Sequence, residues 1–450
     1  MKRIIAIILS VTILIGVLVV FHLTAEAQTS GFFQYSVKKD NTAVITGYTG
    51  KEESITIPEI IDGYTVTEIG KKAFQGYGYY GKFLLKSVTF NKSLKKIGER
   101  AFEETALEKV DFNEGLVEIG KKAFHTTFME SVKLPSTLKY LRKGCFDGSG
   151  LTKVEVPKSV KKLEAECFRG CELEEVTLHE GLEEIGYEAF ACRNEISSIK
   201  IPSTVKKIGG GAFLFNPLTK VKLPKSLKTI GEYNDYFPTF GEDLEKITLA
   251  KGNKHFRVKS NVLYDKKITK IYVYPPKCKR RNYKTPKTVK TIRKCAFYQA
   301  RFKKLTITKN VRTIKDYAFF EVNLRDLVIK KGVKKIGKYA FYHFEGARLD
   351  LKIPDSVKEI GSYAFELSDL VFVKLPAKLK EIKKETFFGT YLESITIPKS
   401  VKKIGYAAFG YGVGECGSVQ EIDKNFVVKG KWNSYAHKYA NKKGFKFVAV

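Results

Sequence analysis

Histidines, cysteines and paired carboxylates are the side chains of this 450-residue chain that could do chemistry. A catalytic nucleophile needs a base beside it, and a hydrolytic metal needs ligands at fixed spacing. The sequence holds no HExxH, no GxSxG and no phosphate-binding GxxxxGK[ST]. His22 falls in an apolar N-terminal run, while His125, His179, His255, His343 and His437 stand singly and read as surface or turn residues. Cys145, Cys167, Cys171, Cys192, Cys278, Cys295 and Cys416 form no CxxC pair, and seven cannot all pair internally. Cys145 and Cys167 occupy a slot where equivalent segments place Ala, so they read as small buried residues. A disulfide between stacked neighbours is the alternative. The pair Glu183-Glu184 recurs at a repeat position and reads as solvated surface. No catalytic residue, metal or cofactor is expected.

The chemistry that does recur is cationic. Lysine and arginine number 80 against 48 aspartates and glutamates, a formal net charge of +32. Part of the excess is periodic. Lys95, Lys139, Lys161, Lys206, Lys228, Lys290, Arg312, Lys334, Lys358, Lys380 and Lys402 each stand two residues before a recurring isoleucine or leucine. Thr67, Val117 and Glu183 hold the same place in other repeats. A second row, on a preceding strand, reads Thr89, Asp111, Lys133, Glu155, Thr177, Lys200, Lys222, Thr248, Tyr272, Thr306, Val328, Lys352, Lys374 and Thr396. Such rows suit a polymeric anion, whose many weak contacts add along its length. They are equally compatible with solvated lysines, since like charges on neighbouring strands cost roughly a few tenths of a kcal/mol per pair and salt screens much of that. Tyr77, Tyr79 and Tyr80 in "YGYYG", and Tyr233 and Tyr236 in "EYNDYFPTF", lie in aromatic insertions. They would stack on a sugar, anchor a protein partner, or pack back on the array.

Rows at fixed spacing require an element that repeats. "IGKKAF" occurs at Ile69–Phe74 and again at Ile119–Phe124, with "IGERAF" between them at Ile97–Phe102. Phenylalanine returns in this frame up to Phe409, most steps being 22 residues, and the "TIGEY" copy at Ile230 lacks a clean Phe. Before each copy stands a segment such as "LESITIP" (Leu392–Pro398), apolar at i, i+3 and i+5, the spacing of a leucine-rich-repeat strand. Such a unit buries its apolar residues only by stacking on its neighbours, which predicts a β-rich solenoid. Roughly fifteen rungs at about 4.8 Å would extend on the order of 70 Å. Proline after a strand, as in "LESITIP", is tolerated because hydrogen bonding ends there, and the glycine after the isoleucine is expected to serve a tight turn.

The N-terminus sets the compartment. Lys2 and Arg3 precede an apolar run from Ile4 to Leu23, and "AEA" at Ala25–Ala27 offers a cleavage site. Residues 1–27 therefore read as a secretory signal peptide, with an uncleaved membrane anchor as the alternative. Export makes nucleic acid an ill-suited partner for the charge. The rest divides into an N-terminal cap (28–58) built on a hairpin around Asp40-Asn41, a first repeat array (59–241), an island (242–286), a second array (287–418) and a C-terminal cap (419–450). In that cap Asn433 or Ser434 should start a helix whose apolar face is Tyr435, Ala436, Tyr439 and Ala440, Gly444 should stop it, and "FKFVAV" should add a last strand.

The consensus "LxxIxIPxSVKKIGxxAF", the opening "ITGYTGKEESITIPEIIDGYTVTEIGKKAF", the island "NKHFRVKSNVLYDKKITKIYVYPP" (Asn253–Pro276) and the ending "SYAHKYANKKGFKFVAV" together resemble the BspA-type (Treponema-type) leucine-rich-repeat surface proteins of bacteria. The resemblance covers nearly all of the chain after the signal segment. It implies a secreted or cell-surface adhesin, without enzymatic activity, recognising host matrix, mucosal surfaces or other bacteria. An extracellular protein or glycan is the expected partner, anionic wall polymers are a further one, and the chain is expected to be a monomer. The competing role is structural: a wall-associated protein held electrostatically on anionic polymers without a receptor.

Overall fold

The computed structural model describes residues 28–76, 84–231, 238–346, 348–413 and 420–450. Residues 1–27, expected to be a signal peptide, and the tyrosines Tyr77, Tyr79, Tyr80, Tyr233 and Tyr236 lie outside the described residues. The chain forms a β-solenoid in two compact units, one ending at Leu151 and one starting at Thr152.

One rung shows how the sequence produces the turn. Leu392, Ile395 and Ile397 point inward and are buried, and the strand Ser394–Thr396 pairs in parallel with the next strand of its sheet. Proline then ends the strand and begins a turn, its carbonyl accepting from the N–H of Val401 at 3.0 Å. The same Pro-carbonyl bond closes the turns at Pro135, Pro157, Pro202, Pro224, Pro286, Pro354 and Pro376. A two-residue strand follows, Lys403–Ile404, paired in parallel with Glu381–Ile382. Ala408 and Phe409 complete the rung and are fully buried.

The phenylalanines stack. Ring centroids lie 4.8, 5.3 and 5.4 Å apart along Phe74, Phe102, Phe124 and Phe146, with planes within 8° of parallel. In the second unit the column runs through Phe168, Phe190 and Phe213, and again from Phe297 through Phe319, Phe341 and Phe365 to Phe387. The rung that lacked a clean Phe has one after all: Phe240 stacks on Phe213 at 5.9 Å, reached after the 232–237 insertion. Tyr274 takes the same slot against Phe297 in the island.

The first unit opens on antiparallel strands Gln28–Ser30, Phe33–Val37 and Thr42–Tyr48, the hairpin turn passing through Asn41 at φ 59°. Thr42–Tyr48 then pairs in parallel with Tyr64–Ile69, handing the sheet to the two-residue strands. In the second unit the island is an antiparallel meander of Phe256–Lys259, Val262–Asp265 and Lys270–Val273, the last pairing in parallel with Thr291–Ile292. Tyr272 therefore belongs to the sheet of two-residue strands and not to the row of first-strand residues. Lys284 fills the vacated place, in register with Thr306. At the C-terminus the helix Tyr435–Lys443 ends at Gly444 in left-handed conformation, and Lys446–Ala449 pairs in parallel with Val427–Gly430. Ala436, Tyr439 and Ala440 are its buried face, whereas Tyr435 is exposed because its first-turn position points away from the array.

The glycine after the isoleucine has a different role from the one expected. At Gly98, Gly120, Gly186, Gly209, Gly337, Gly361 and Gly405 an added Cβ would stand 2.4–2.8 Å from backbone atoms of the preceding rung. Gly98, Gly120, Gly209, Gly337, Gly361 and Gly405 donate the N–H to the preceding rung, as Gly120 does to the Ile97 carbonyl at 2.8 Å. The glycine is there so that backbones can touch. The left-handed turn residue comes two positions later and is usually not glycine: Lys72, Arg100, Lys122, Glu166, Glu188, Tyr317, Tyr339 and Tyr363 all have φ between 48° and 62°. Two outcomes separate these roles. Gly120→Ala should destabilise by about 1–3 kcal/mol through overpacking, whereas Lys122→Gly, which relieves a left-handed side chain, should be neutral or stabilising. Phe341→Ala should cost about 3–5 kcal/mol. Denaturant unfolding of the three variants measures all of these.

Candidate functional site

The row of cations two residues before the core isoleucine is a physical lane. In the second unit residues of the lane donate the backbone N–H to the lane residue one rung earlier: Arg312 to Lys290, Lys334 to Arg312, Lys358 to Lys334 and Lys402 to Lys380, all at 2.8 Å. Their side chains therefore repeat at about the 4.8 Å strand spacing. Lys95, Lys139, Lys161, Lys206, Lys228, Lys290, Arg312, Lys334, Lys358, Lys380 and Lys402 are all exposed.

The neighbouring row behaves differently. The first residue of the two-residue strands, one position nearer the core, meets an opposite charge on several neighbouring rungs. Lys96 pairs with Glu68 at 2.9 Å in the first unit. In the second unit Glu184 lies between Lys162 and Lys207 at 3.4 and 2.9 Å, Glu359 between Lys335 and Lys383 at 2.9 and 2.8 Å, and Lys403 meets Glu381 at 2.8 Å. The Lys383 and Lys335 ammonium groups hold the Glu359 carboxyl below the usual glutamate range. The Glu183-Glu184 pair, read from sequence as merely solvated, is thus ion-paired at both positions, Glu183 with Lys206 at 2.7 Å.

Within the lane the cations fall into two groups. Arg312 folds onto the adjoining turns, donating to the Lys309 and Gly332 carbonyls at 2.7 and 3.2 Å. Lys334, Lys358, Lys380 and Lys402 instead have no carboxylate within 4.0 Å among the described residues, because the glutamates of this stretch serve the adjacent row.

The second predicted row lies on other sheets and does not join the lane. Lys222, Lys352 and Lys374 are exposed on strands, Lys352 and Lys374 in direct register. Lys133 and Lys200 are exposed on stretches without strand pairing. Of the histidines, His125 donates from Nδ1 to the Asp147 carbonyl at 2.6 Å, and His179 meets Glu155 at 2.7 Å. No group of three metal-ligating side chains occurs among the described residues.

An aromatic column escaped the sequence reading. Tyr317, Tyr339 and Tyr363 stack at 4.9 and 4.5 Å on the turn edge, flanked by Tyr298, Phe320 and Tyr342. The Lys338 ammonium lies 5.0 and 5.1 Å from the rings of Tyr339 and Tyr363, within cation–π reach. The signal was present in "DYAF", "KYAF" and "SYAF", where tyrosine occupies the left-handed position of successive rungs.

Comparison with known proteins comes to the same architecture. A family model described as the BspA type leucine rich repeat region matches at residues 48–174, 141–269 and 290–413, more than half of the chain. Among solved structures, the pneumococcal vaccine antigen PcpA is similar with a TM-score of 0.51 and 21% identity, over 95% of this chain and 99% of that one. A leucine rich cell surface protein from Faecalibacterium prausnitzii A2-165 gives 0.49 and 22%, over 94% of each chain. A leucine-rich repeat protein from Bacteroides ovatus ATCC 8483 gives 0.49 and 23%, over 94% of this chain and 99% of that one. No curated protein sequence matches the chain. No helix among the described residues is long and apolar enough to cross a membrane.

Beside the aromatic column stands Glu366, its carboxyl pushed up to about 7 by burial and by the neighbouring Glu385 carboxylate, against the opposing pull of Lys384. A carboxyl whose folded-state pKa is raised penalises the fold when ionised, so stability should rise as pH falls from about 7 towards the usual glutamate value near 4.3. Glu366→Gln should therefore raise the melting temperature at pH 8, and the gain should vanish by pH 4. A gain of the same size at both pH values would contradict this account.

Proposed function

The chain belongs to the BspA-type leucine-rich-repeat family, and from that premise we propose that it is a surface-associated binding protein, an adhesin that holds an extracellular macromolecule on its lane of cations. The observation that carries the reading is the contrast between adjacent rows. One row spends its glutamates neutralising lysines rung by rung, while Lys334, Lys358, Lys380 and Lys402 one residue away stay exposed and unneutralised. Like charges on neighbouring rungs repel one another. A polyanion laid along them relieves the repulsion and gains additively from each contact. The apolar N-terminal segment and the surface character of the family support export, and the anionic partner is then a glycan, a wall polymer or an acidic protein outside the cell. The aromatic insertions carrying Tyr77, Tyr79, Tyr80, Tyr233 and Tyr236 supply a second, less charge-dependent contact in this reading.

Replacing Lys334, Lys358, Lys380 and Lys402 by Gln tests the lane without touching the core. Folding should survive, because the four side chains make no carboxylate contact to lose. Retention on heparin and on isolated cell walls should fall, and its dependence on salt should flatten as fewer counterions are displaced. Unchanged retention would show the lane to be solvated surface. Binding to cell walls that salt alone reverses, with no saturable binding to matrix protein or mucin, would favour the structural role over the adhesin.

A further inference from the structure

Away from the lane, the second unit holds a concave basic site that the repeat pattern does not explain. The first-strand sheet is interrupted at the island: Lys220–Leu223 and Lys246–Leu249 form a two-stranded piece, and pairing resumes only at Asn282–Lys284. The chain crossing the interruption is "KCKRR", Lys277–Arg281, tied back by the Lys277 N–H to the Leu244 carbonyl at 3.1 Å. Where a continuous ladder would leave a flat face, the step opens a groove of about 550 Å³, with Lys220, Lys246, Lys277, Lys279, Arg280 and Glu245 on its walls.

The charges of this groove are unbalanced. Lys220 and Lys246 face each other in register on adjacent strands, a repulsive arrangement. Lys277 is committed to Asp243 at 2.6 Å. Arg280 spends one of its donors on the Ser260 carbonyl at 3.1 Å, which fixes the guanidinium at the wall. Lys220, Lys246 and Lys279 are exposed and have no carboxylate within 4.0 Å among the described residues. Glu245 is the only acid among the residues lining the groove.

We propose that the island groove seats the phosphate or sulfate groups of an extracellular polyanion strand. A tetrahedral oxyanion accepts from several ammonium and guanidinium donors at once, and cations on two walls meet such a group from two directions. The proposal rests on the surface-binding reading for the setting of its ligand, but it concerns different residues from the lane. A sulfated glycan and a poly(glycerol phosphate) share the required chemistry.

The test measures binding of the purified chain to a sulfated hexasaccharide and to a short poly(glycerol phosphate) at two salt concentrations, with polyglutamate of equal charge as comparator. The triple variant K220Q/K246Q/K279Q should lose tenfold or more in affinity for whichever oligomer binds, and its salt slope should fall by about two. The matched variant K334Q/K358Q/K380Q removes the same charge from the lane and should stay within twofold for these short ligands. The preferred oligomer identifies the source of the anion. R280Q alone, expected to lose about threefold, serves if the triple variant does not fold. Equal losses in the two triple variants, equal affinity for polyglutamate, or an unaffected groove variant would each overturn the groove. A loss confined to the lane variant would overturn it while leaving the surface-binding reading intact.

Discussion

Backbone touching backbone is the constraint on which the rest of this protein depends. An added Cβ at Gly98, Gly120 or Gly361 would lie inside the preceding rung, so those rungs close up only because glycine follows the core isoleucine, whereas Arg142, Glu164, Arg293, Lys315 and Lys383 hold that place in other rungs. Once that contact is made, every other residue type is brought into line with its counterpart. Phenylalanine lies over phenylalanine at 4.7–5.6 Å in most of the column, within the range of offset stacking. From Val262 to Phe445 buried side chains form one apolar cluster.

The same constraint organises charge. Stacking at about 4.8 Å places side chains of one repeat position closer together than a Debye length, so a row of equal charges repels unless it is broken up or occupied. The row carrying Glu184 and Glu359 sets carboxylates against neighbouring lysines, while the row carrying Lys334 and Lys358 does not. The difference between the two rows is the main electrostatic feature of the surface and the basis of its functional reading. The island adds a second departure from uniformity, since interrupting a ladder creates the concavity that an unbroken repeat lacks.

Much of the architecture was legible because a period of 22 residues exposes itself without reference to any structure. The hairpin around Asp40-Asn41, the helix ended by Gly444 and the lane of lysines all follow from local pattern. What escaped the reading depends on which strand a residue joins. Phe240 was hidden by the insertion before it, and Lys284 by the assumption that Tyr272 kept the frame. The role of the glycine was misassigned because a glycine demanded by close approach and one demanded by a left-handed turn look alike in sequence. The ion pairs of Glu183 and Glu184 depend on partners a whole rung away, which no local window displays. The island groove brings two strands together with the 277–280 segment and carries no motif.

The two sides of a rung bond in opposite directions. On the strand side the glycine N–H gives to the carbonyl of the preceding rung, as Gly361 does to Ile336 at 2.9 Å. On the turn side the phenylalanine N–H gives to the carbonyl of the following rung, as Phe341 does to Ala364 at 2.8 Å. Each face of a rung thus offers donors along one edge and acceptors along the other, and every face of a given sense is equivalent. Excising a whole number of repeats rejoins like donors with like acceptors, so gene duplication and deletion can lengthen or shorten such an array without redesigning any junction. Inserting or deleting a single residue inside a rung has no such tolerance, because it takes the following donors and acceptors out of register.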